Sequence, residues 1–271
     1  MHAETTQHRG AACIRLSAEG AHVLVALHGA HILSWVPADG SERLFLSERA
    51  RFDGKAAIRG GIPVIFPQFA DRGALARHGF ARTSFWKFEG VQHDQAIFAL
   101  SGDGTGAWPH VFIARLCIAL SATQIAVTLH VDNTGDTPLS FTAALHTYLR
   151  VDDIACTSVD GLQGLQYLDS RKGGSRHRQT NPAVRFEGEI DRIYQDITAP
   201  LVVRHSALRL TIRQDGFADA VIWNPGQQLA EGITDLSPGD ERRFACVEAA
   251  QILLPVTLGA GEYWRGRQFL E

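Results

Sequence analysis

The chain has 271 residues, of which 45% are hydrophobic and 20% charged, with a formal net charge of −3 and a pI near 6.5. This composition is ordinary for a folded protein with a substantial core, and the slightly acidic balance excludes a general nucleic-acid or anionic-membrane surface. No stretch reaches the roughly twenty apolar residues of a membrane span. The N-terminal sequence MHAETTQHRG lacks the features of a secretory signal, so we expect a cytoplasmic protein.

Short strands rich in Val, Ile and Leu are predicted in the first third of the chain, because Gly or polar clusters separate the apolar runs. They are expected at Ala12–Leu16, His22–Leu27, His31–Val36, Leu44–Leu46, Ile62–Phe66 and Phe80–Phe85. In the middle third, alternating apolar residues predict longer strands. These are expected at Lys87–Val91, Gln95–Ser101, Val111–Leu120, Gln124–Asp132 and Phe141–Val151, with a loop at Gly102–Gly106.

The segment Asp152–Gln179 is predicted to contain the loop GLQGLQYLDSRKGGSRHRQ, whose polar, glycine-bearing tail is expected to be the most mobile part of the chain. Further strands follow it, at Val184–Ile190, Leu201–Arg204, Leu208–Gln214, Ala220–Trp223, Phe244–Ala249 and Val256–Leu258. Only Ser47–Ala50 and Asp235–Leu236 suggest helices, and both are short. Strands that recur at roughly eight to twelve residues predict an all-β sandwich, formed by residues 1–271 as a single domain without a linker.

The stretch Ala57–Trp86 places many hydrogen-bond donors between two apolar runs and contains several Gly and Pro residues. The donors are Arg59, Gln68, Arg72, Arg77, His78 and Arg82. Arginine binds carboxylate or phosphate through a planar fork of donors. We interpret this stretch as one wall of a site for an anionic ligand; the alternative is a solvated turn with surface arginines.

Two residues in apolar strands are candidates for acid–base chemistry. His146 lies in TAALHTYLRV and Glu248 ends the apolar run FACVE. A buried carboxylate without a partner is costly, so Glu248 needs either a partner or a function. A carboxylate and an imidazole can act as base and acid across a small substrate; the alternative for His146 is a hydrogen-bonded structural histidine.

Three further residues have open interpretations. Asp191 lies in EGEIDRIYQD, where an exposed turn with a local salt bridge is the alternative to a site residue. Trp223 could belong to the core or form a floor on which a sugar stacks, and Asp219 reads as a strand-edge charge. No nucleophilic-serine motif, P-loop, GxGxxG sequence or metal-ligand spacing is present, so we predict no cofactor and no metal. The four widely spaced cysteines are expected to be small buried hydrophobes.

Several motifs, in order along most of the chain, resemble the hexose-6-phosphate mutarotases (glucose-6-phosphate 1-epimerases), a branch of the aldose 1-epimerase family. The similar segments are IRGGIPVIFPQF, HGFAR, LHTYLRV, GLQGLQYLDS, EIDRIY, VIWNPG and ACVEAA. The resemblance implies a single-domain β-supersandwich of the galactose mutarotase-like type. It also implies interconversion of the α and β anomers of an aldohexose 6-phosphate, without cofactor or metal, by a protein that we expect to be a monomer.

The resemblance further implies roles for individual residues. His146 and Glu248 match the catalytic histidine and glutamate of the family, and Arg59, Arg82 and Asp191 match its substrate contacts. His78, from the HGFAR segment, is expected in the same site. With them we place Gln68, Arg77 and Trp223 among the substrate-binding candidates.

Two positions depart from the pattern of the family: Arg77 stands where many relatives have Gln, and Thr83 where Asn is common. The extra cation could tighten phosphate binding or change which sugar phosphate is preferred. Two other functions stay open at this point. One is a non-catalytic sugar-phosphate sensor, and the other is a glycoside hydrolase, whose second carboxylate would be Asp191.

Overall fold

The computed structural model describes residues 1–206 and 208–271. These residues form twenty-one strands, one α-helix, α1 (Gly226–Ala230), and four short 3₁₀ helices. The strands are β1 (His2–His8), β2 (Ala11–Ala18), β3 (Ala21–Ala26), β4 (His31–Val36), β5 (Val64–Ile65), β6 (Lys87–Gln92), β7 (Gln95–Asp103), β8 (Val111–Leu120), β9 (Ile125–Asn133), β10 (Leu139–Leu145), β11 (Tyr148–Arg150), β12 (Ser158–Asp160), β13 (Gln166–Asp169), β14 (Ser175–Arg178), β15 (Ala183–Arg185), β16 (Ile190–Tyr194), β17 (Leu201–His205), β18 (Leu208–Asp215), β19 (Asp219–Asn224), β20 (Phe244–Leu258) and β21 (Tyr263–Leu270). The 3₁₀ helices are Ala81–Thr83, Ile154–Cys156, Ser170–Lys172 and Asp240–Arg242.

The strands form three sheets. The first four strands form an antiparallel sheet in chain order, and tight turns such as Glu19–Gly20, where both φ angles are positive, connect its hairpins. A nine-stranded sheet has the order β15-β12-β17-β18-β21-β9-β8-β7-β6. The eight-stranded sheet that carries the site has the order β14-β13-β16-β19-β20-β10-β5, with β11 also paired to β20.

The hydrophobic core is continuous across these sheets. One cluster of buried side chains extends from Ile14 in β2 to Leu270 in β21, and Trp35, Phe66 and Phe98 are among its largest members. The prediction of an all-β protein is therefore confirmed. Burial of alternate residues explains it: β8 and β9 each place every second side chain in the core, as their sequence patterns indicate. No helix within residues 1–206 or 208–271 is both long and apolar enough to cross a membrane.

Several predicted elements are wrong. Phe80–Phe85 is not a strand: it contains the 3₁₀ helix Ala81–Thr83, because the hydroxyls of Thr83 and Ser84 both donate to the Phe80 carbonyl, each at 3.0 Å. Neither predicted short helix forms; both segments are turns held by side-chain bonds. In the first turn, the Ser47 hydroxyl accepts the Arg49 N–H and donates to the Asp240 carboxylate. After the second turn, the same carboxylate accepts the Ser237 N–H.

Other predictions fail because long-range pairing decides the outcome. The expected irregular loop in Asp152–Gln179 contains the hairpin β13–β14, whose outer strand adds to the edge of the eight-stranded sheet. The predicted strand Val184–Ile190 is instead the separate β15 and β16, and β7 continues into the expected glycine loop as far as Asp103. The first and last strands, β1 and β21, were not predicted.

The two predicted strands near the C-terminus are one strand, β20, interrupted by a bulge. In β10, Phe141 pairs with Val256 of β20, whereas Ala143, two positions later, pairs with Gln251. The Asp219 carboxylate accepts the backbone N–H groups of Ile252 and Leu253 there, at 2.7 and 2.8 Å. Asp219 is therefore a buried residue that holds a bulge, and it is not the strand-edge charge that we expected.

The four cysteines are all free, and they only partly match the expectation of burial. Cys13 and Cys246 are buried, Cys117 is partly buried and Cys156 is exposed. Cys156 lies in the 3₁₀ helix Ile154–Cys156 and not in a strand.

Candidate functional site

A cleft of about 720 Å³ lies over one face of the eight-stranded sheet. The sheet forms its floor, and the arginine-rich stretch, the turn between β13 and β14, and the segment after α1 form its rim. Its lining includes eight of the nine sequence-predicted site residues, namely Arg59, Arg77, His78, Arg82, His146, Asp191, Trp223 and Glu248. The ninth, Gln68, does not line it.

Strand register places the floor residues. Asp191 in β16 is opposite Trp223 in β19, and Val221, two positions earlier in β19, is opposite Glu248 in β20. Because alternate residues of a strand point to the same face, all four side chains reach the cleft from three neighbouring strands. Asp191 is therefore in a strand and not in the exposed turn that was its alternative.

His146 lies at a break between two strands. The predicted strand Phe141–Val151 is divided into β10 and β11, and His146 and Thr147 fall between them. The His146 N–H donates to the Pro63 carbonyl at 3.1 Å, and the Thr147 hydroxyl donates to Gln268 at 2.6 Å. These bonds take the place of the backbone hydrogen bonds that pairing with a neighbouring strand would provide. They hold His146 in place, with its ring above the floor of the cleft.

The structure brings His146 and Glu248 together. The His146 Nε2 is 3.3 Å from the Glu248 Oε1. The Glu248 side chain is 1% exposed, and its Oε2 has no hydrogen-bond partner among the residues that the structure describes. Burial, with a smaller effect of Asp191, raises the pKa of Glu248 well above its usual value. Such a carboxylate is poised to bind or release a proton.

The imidazole has the opposite shift. Burial, followed by the positive charges of Arg59 and Arg82, lowers the pKa of His146 to about 3. Burial therefore favours the neutral form of each group, the protonated carboxyl of Glu248 and the uncharged imidazole of His146. Moving the carboxyl proton to His146 produces an imidazolium beside a carboxylate without any change in the total charge, so one group can serve as acid while the other serves as base.

Arg59 reaches the cleft from a backbone that only glycine allows. Gly60 and Gly61 follow it with φ of 106° and 63°, and a Cβ on Gly61 would lie 2.1 Å from the Ile32 carbonyl oxygen. The Arg59 guanidinium donates from Nη1 to the Tyr148 hydroxyl at 2.9 Å and from Nε to Asp235 at 3.1 Å. Both partners orient its fork.

The loop after Phe66 carries Arg77 and His78, and the amide of Gln68 holds it. The Gln68 Nε2 donates to the carbonyls of Ala70 and Leu75, at 2.9 and 3.0 Å, and its Oε1 accepts the Leu75 N–H at 2.9 Å. The side chain is thus bound to backbone on the loop side. Its structural contacts explain why the residue is buried near the cleft without lining it.

His78 is fixed as a neutral imidazole. Its Nδ1 accepts the Ala70 N–H at 3.2 Å, so its hydrogen is on Nε2. Burial, together with the nearby His146 and Arg82, lowers the pKa of His78 to about 2. His78 therefore enters the site as a hydrogen-bond donor through Nε2.

Arg77 and Arg82 differ in their surroundings. Arg77 is 60% exposed and forms an ion pair with Asp71 at the mouth of the cleft. Arg82 donates from Nη2 to the Arg77 carbonyl at 2.8 Å, and its buried Nε has no partner within the described part of the chain. Burial lowers the pKa of Arg82 to about 10, which still leaves it charged at neutral pH. An anion in the cleft would supply the missing partner.

Sequence reasoning missed several residues of the site. Tyr148 stacks on the His146 ring, with centroids 4.9 Å apart and planes at 13°, and its place two residues after His146 was the available signal. Asp235, which holds Arg59, lies in a segment that we predicted as a helix. Leu229 and Ile233 form an apolar side of the cleft, and no sequence pattern links them to it.

Within residues 1–206 and 208–271, no group of three or more His, Cys, Asp or Glu side chains is arranged to hold a metal ion.

Comparisons with known proteins identify the family and the fold of this chain. The family model for aldose 1-epimerase matches residues 12–271. A protein of Cenchrus ciliaris named "Putative glucose-6-phosphate 1-epimerase" is 36% identical over 261 residues, which cover 90% of this chain and 79% of that protein. A protein of the same name from Escherichia coli K12 is 34% identical over 235 residues, or 83% of this chain and 78% of its own.

A solved structure from Salmonella typhimurium, described as "a putative mutarotase (YeaD)", matches with a TM-score of 0.88 at 26% identity, over 99% of this chain and 92% of that one. The predicted galactose mutarotase-like fold is thereby confirmed. The chain belongs to the aldose 1-epimerase family and is an isomerase of the mutarotase type.

Proposed function

We propose that this protein interconverts the α and β anomers of an aldohexose 6-phosphate, with glucose 6-phosphate as the first candidate. The observation that carries the proposal is the buried His146–Glu248 pair, 3.3 Å apart, in a cleft that Arg59 and Arg82 also line. The pair suits proton transfer at a sugar ring, and the arginines suit a phosphate. The names of the two relatives support the same substrate.

The reaction needs one acid and one base. Glu248 accepts the proton of the C1 hydroxyl while protonated His146 donates one to the ring oxygen. The bond between C1 and the ring oxygen breaks and leaves an open-chain aldehyde. Rotation about the C1–C2 bond presents the other face of the aldehyde, and ring closure then returns both protons. No covalent intermediate or cofactor is required.

A phosphorylated substrate would prepare the pair for this step. In the empty cleft Arg59 and Arg82 disfavour a positive charge on His146. A phosphate dianion beside these arginines cancels much of their field, so the pKa of His146 rises when substrate binds. A hydrogen bond from the C1 hydroxyl to Glu248 favours the carboxylate at the same time. Substrate binding therefore moves the shared proton to His146.

The remaining residues of the cleft have matching roles. Arg82, with its unpartnered Nε, and Arg59 bind the phosphate through charge-assisted hydrogen bonds. Asp191, whose pKa burial raises, accepts hydrogen bonds from sugar hydroxyls. Trp223 offers an aromatic face to the sugar ring, and His78 donates from Nε2.

A non-catalytic sugar-phosphate sensor is the main alternative. A sensor would need the arginines to bind the phosphate. It would not need Glu248, whose burial with an unpaired oxygen costs stability. A glycoside hydrolase would use Asp191 and Glu248 as its two carboxylates, but the acid–base partner of Glu248 in this cleft is His146. The predicted cytoplasmic location, monomeric state and single-domain organisation stay predictions.

The test is the rate of anomer interconversion of freshly dissolved α-glucose 6-phosphate, followed by polarimetry with the uncatalysed rate subtracted. α-Glucose and α-galactose serve as substrates without phosphate. We expect strong acceleration of the phosphorylated sugar alone. Acceleration of the free sugars to the same extent would remove the phosphate role of the arginines, and acceleration of none of them would favour the sensor.

A further inference from the structure

Tyr148 contacts both halves of the proposed site with different parts of one side chain. The flat face of its ring stacks on His146, at 4.9 Å between centroids. Its hydroxyl accepts a hydrogen bond from the Nη1 of Arg59 at 2.9 Å. The side chain is buried, with 2% of the residue exposed. A single rigid ring therefore spans the distance between the His146–Glu248 pair and Arg59 on the rim of the cleft.

Backbone bonds and packing fix the position of Tyr148 in addition to its contacts with His146 and Arg59. Its backbone pairs with Cys246 in β20, its N–H donates to the Gly61 carbonyl at 2.9 Å, and its carbonyl accepts the Phe45 N–H at 3.0 Å. The Phe244 ring packs against it at 5.1 Å. The sheet thus holds the phenol ring, and the ring can act as a fixed support for the His146 ring and the Arg59 guanidinium.

The chemistry of the hydroxyl also suits a support for a phosphate-binding arginine. Burial raises the pKa of the Tyr148 hydroxyl, so the group stays neutral. A neutral acceptor orients the Arg59 guanidinium without neutralising its charge. A second carboxylate in that place, added to Asp235, would compete with the phosphate for Arg59.

We propose that Tyr148 is a positioning residue for the reaction: its hydroxyl orients Arg59 toward the phosphate, and its ring holds the plane of His146 against the sugar. This inference rests on the proposed function, because it assigns Tyr148 an effect through two residues of that site. It predicts that the two effects separate kinetically, since Arg59 governs substrate binding and His146 governs turnover.

The experiment compares Tyr148→Phe with Tyr148→Leu, using glucose 6-phosphate as substrate. Tyr148→Phe keeps the stacked ring and removes the bond to Arg59, so KM should rise about tenfold while kcat stays within about twofold. Tyr148→Leu removes the stack as well, so kcat should also fall, by about tenfold. Tyr263→Phe is the matched control, because Tyr263 is 67% exposed and lies outside the cleft; its kinetics should equal those of the parent.

A double-mutant cycle shows whether Tyr148 acts through Arg59. In an Arg59→Ala background, Tyr148→Phe should produce no further rise in KM. A KM unchanged in Tyr148→Phe, or raised by the same factor with and without Arg59, would overturn the inference. Thermal unfolding of each variant identifies a merely structural loss, which would lower the active fraction and leave KM unchanged.

The same data separate this inference from the proposed function. If the parent protein does not accelerate the reaction, the proposed function fails and the inference fails with it. If the parent is active but Arg59→Ala leaves KM unchanged, the inference fails, whereas anomer interconversion stands without a phosphate role for Arg59. If Arg59→Ala raises KM but Tyr148→Phe does not, only the role of Tyr148 is wrong.

Discussion

The floor and the rim of the cleft are built in different ways. The floor residues Asp191, Trp223 and Glu248 lie in three adjacent strands, and backbone register sets their separations. The rim arginines lie outside the sheet, Arg59 and Arg77 in loops and Arg82 in the 3₁₀ helix Ala81–Thr83. Bonds to Tyr148 and Asp235 hold Arg59, and a bond to the Arg77 carbonyl holds Arg82. We infer that the sheet positions the groups for proton transfer, whereas the rim supplies the positive charges for phosphate binding.

This difference makes a prediction about which step each region controls. A floor residue cannot move without disturbing a ladder of hydrogen bonds, so a change of its functional group should reduce turnover. Under the proposed function a rim arginine contacts the phosphate, which does not react, so its removal should weaken binding. The largest expected effect therefore belongs to the floor.

Glu248→Gln is the sharpest change to the floor, because it keeps the size and shape of the side chain and removes its ability to exchange a proton. We expect kcat to fall by about 10²- to 10⁴-fold with a much smaller change in KM. Steady-state mutarotation kinetics measure it, with His146→Asn as the matched change of the other partner. Full turnover in Glu248→Gln would show that the acid–base assignment is wrong.

Arg82 and Arg77 differ in burial and in pairing, so the effects of their substitutions on KM can be compared. Arg82 is largely buried and its Nε lacks a partner, so Arg82→Ala should raise KM for glucose 6-phosphate by about 10- to 100-fold. Arg77 is 60% exposed and already paired with Asp71, so Arg77→Ala should raise KM by no more than about fivefold. Equal effects of the two substitutions would contradict the distinction and would make Arg77 a direct phosphate ligand.

The smallest expected effect concerns stability. Burial holds the pKa of Glu248 above its ordinary value, so the folded protein retains a proton that the unfolded chain releases. The free energy of unfolding therefore decreases as pH rises from the unfolded pKa toward the folded pKa. Glu248→Gln removes this dependence, and at about pH 8 its Tm should exceed that of the parent by roughly 2–4 °C, equivalent to about 1 kcal/mol.

The comparison that checks this is thermal unfolding of both proteins at several pH values. The difference in Tm should shrink toward about pH 5, where the unfolded carboxyl group is also largely protonated. A difference that stays constant with pH would mean that Glu248 does not hold a proton in the folded state. Lower turnover with higher stability in one variant would show that the buried carboxylate is kept for function.

Much of the fold follows from local sequence patterns. The strands His31–Val36 and Val111–Leu120 have their predicted bounds, since alternation and turn signals act over a few residues. The errors have two causes. The hairpin β13–β14 forms where the sequence is polar, because its strands add to the edge of an existing sheet, and Phe80–Phe85 is apolar but bonds to its own backbone.

The candidate site divides in the same way. Motifs in the sequence identified the cleft residues Arg59, His146 and Glu248, because short segments carry them. The motifs also suggested Gln68, whose amide the structure directs to the loop backbone. Sequence alone could not identify Asp235, which meets Arg59 across 176 positions of the chain.

Sequence by itself determined the all-β class, the family and most of the chemical groups available to the site, because each depends on residue types and short spacings. The tertiary structure alone decided that His146 Nε2 and Glu248 Oε1 lie 3.3 Å apart, and that both are buried close to the arginines that lower the pKa of His146. Proton affinity depends on burial and on charges within a few ångströms. In this protein those neighbours come from strands and loops far apart in the chain, and only folding brings them together.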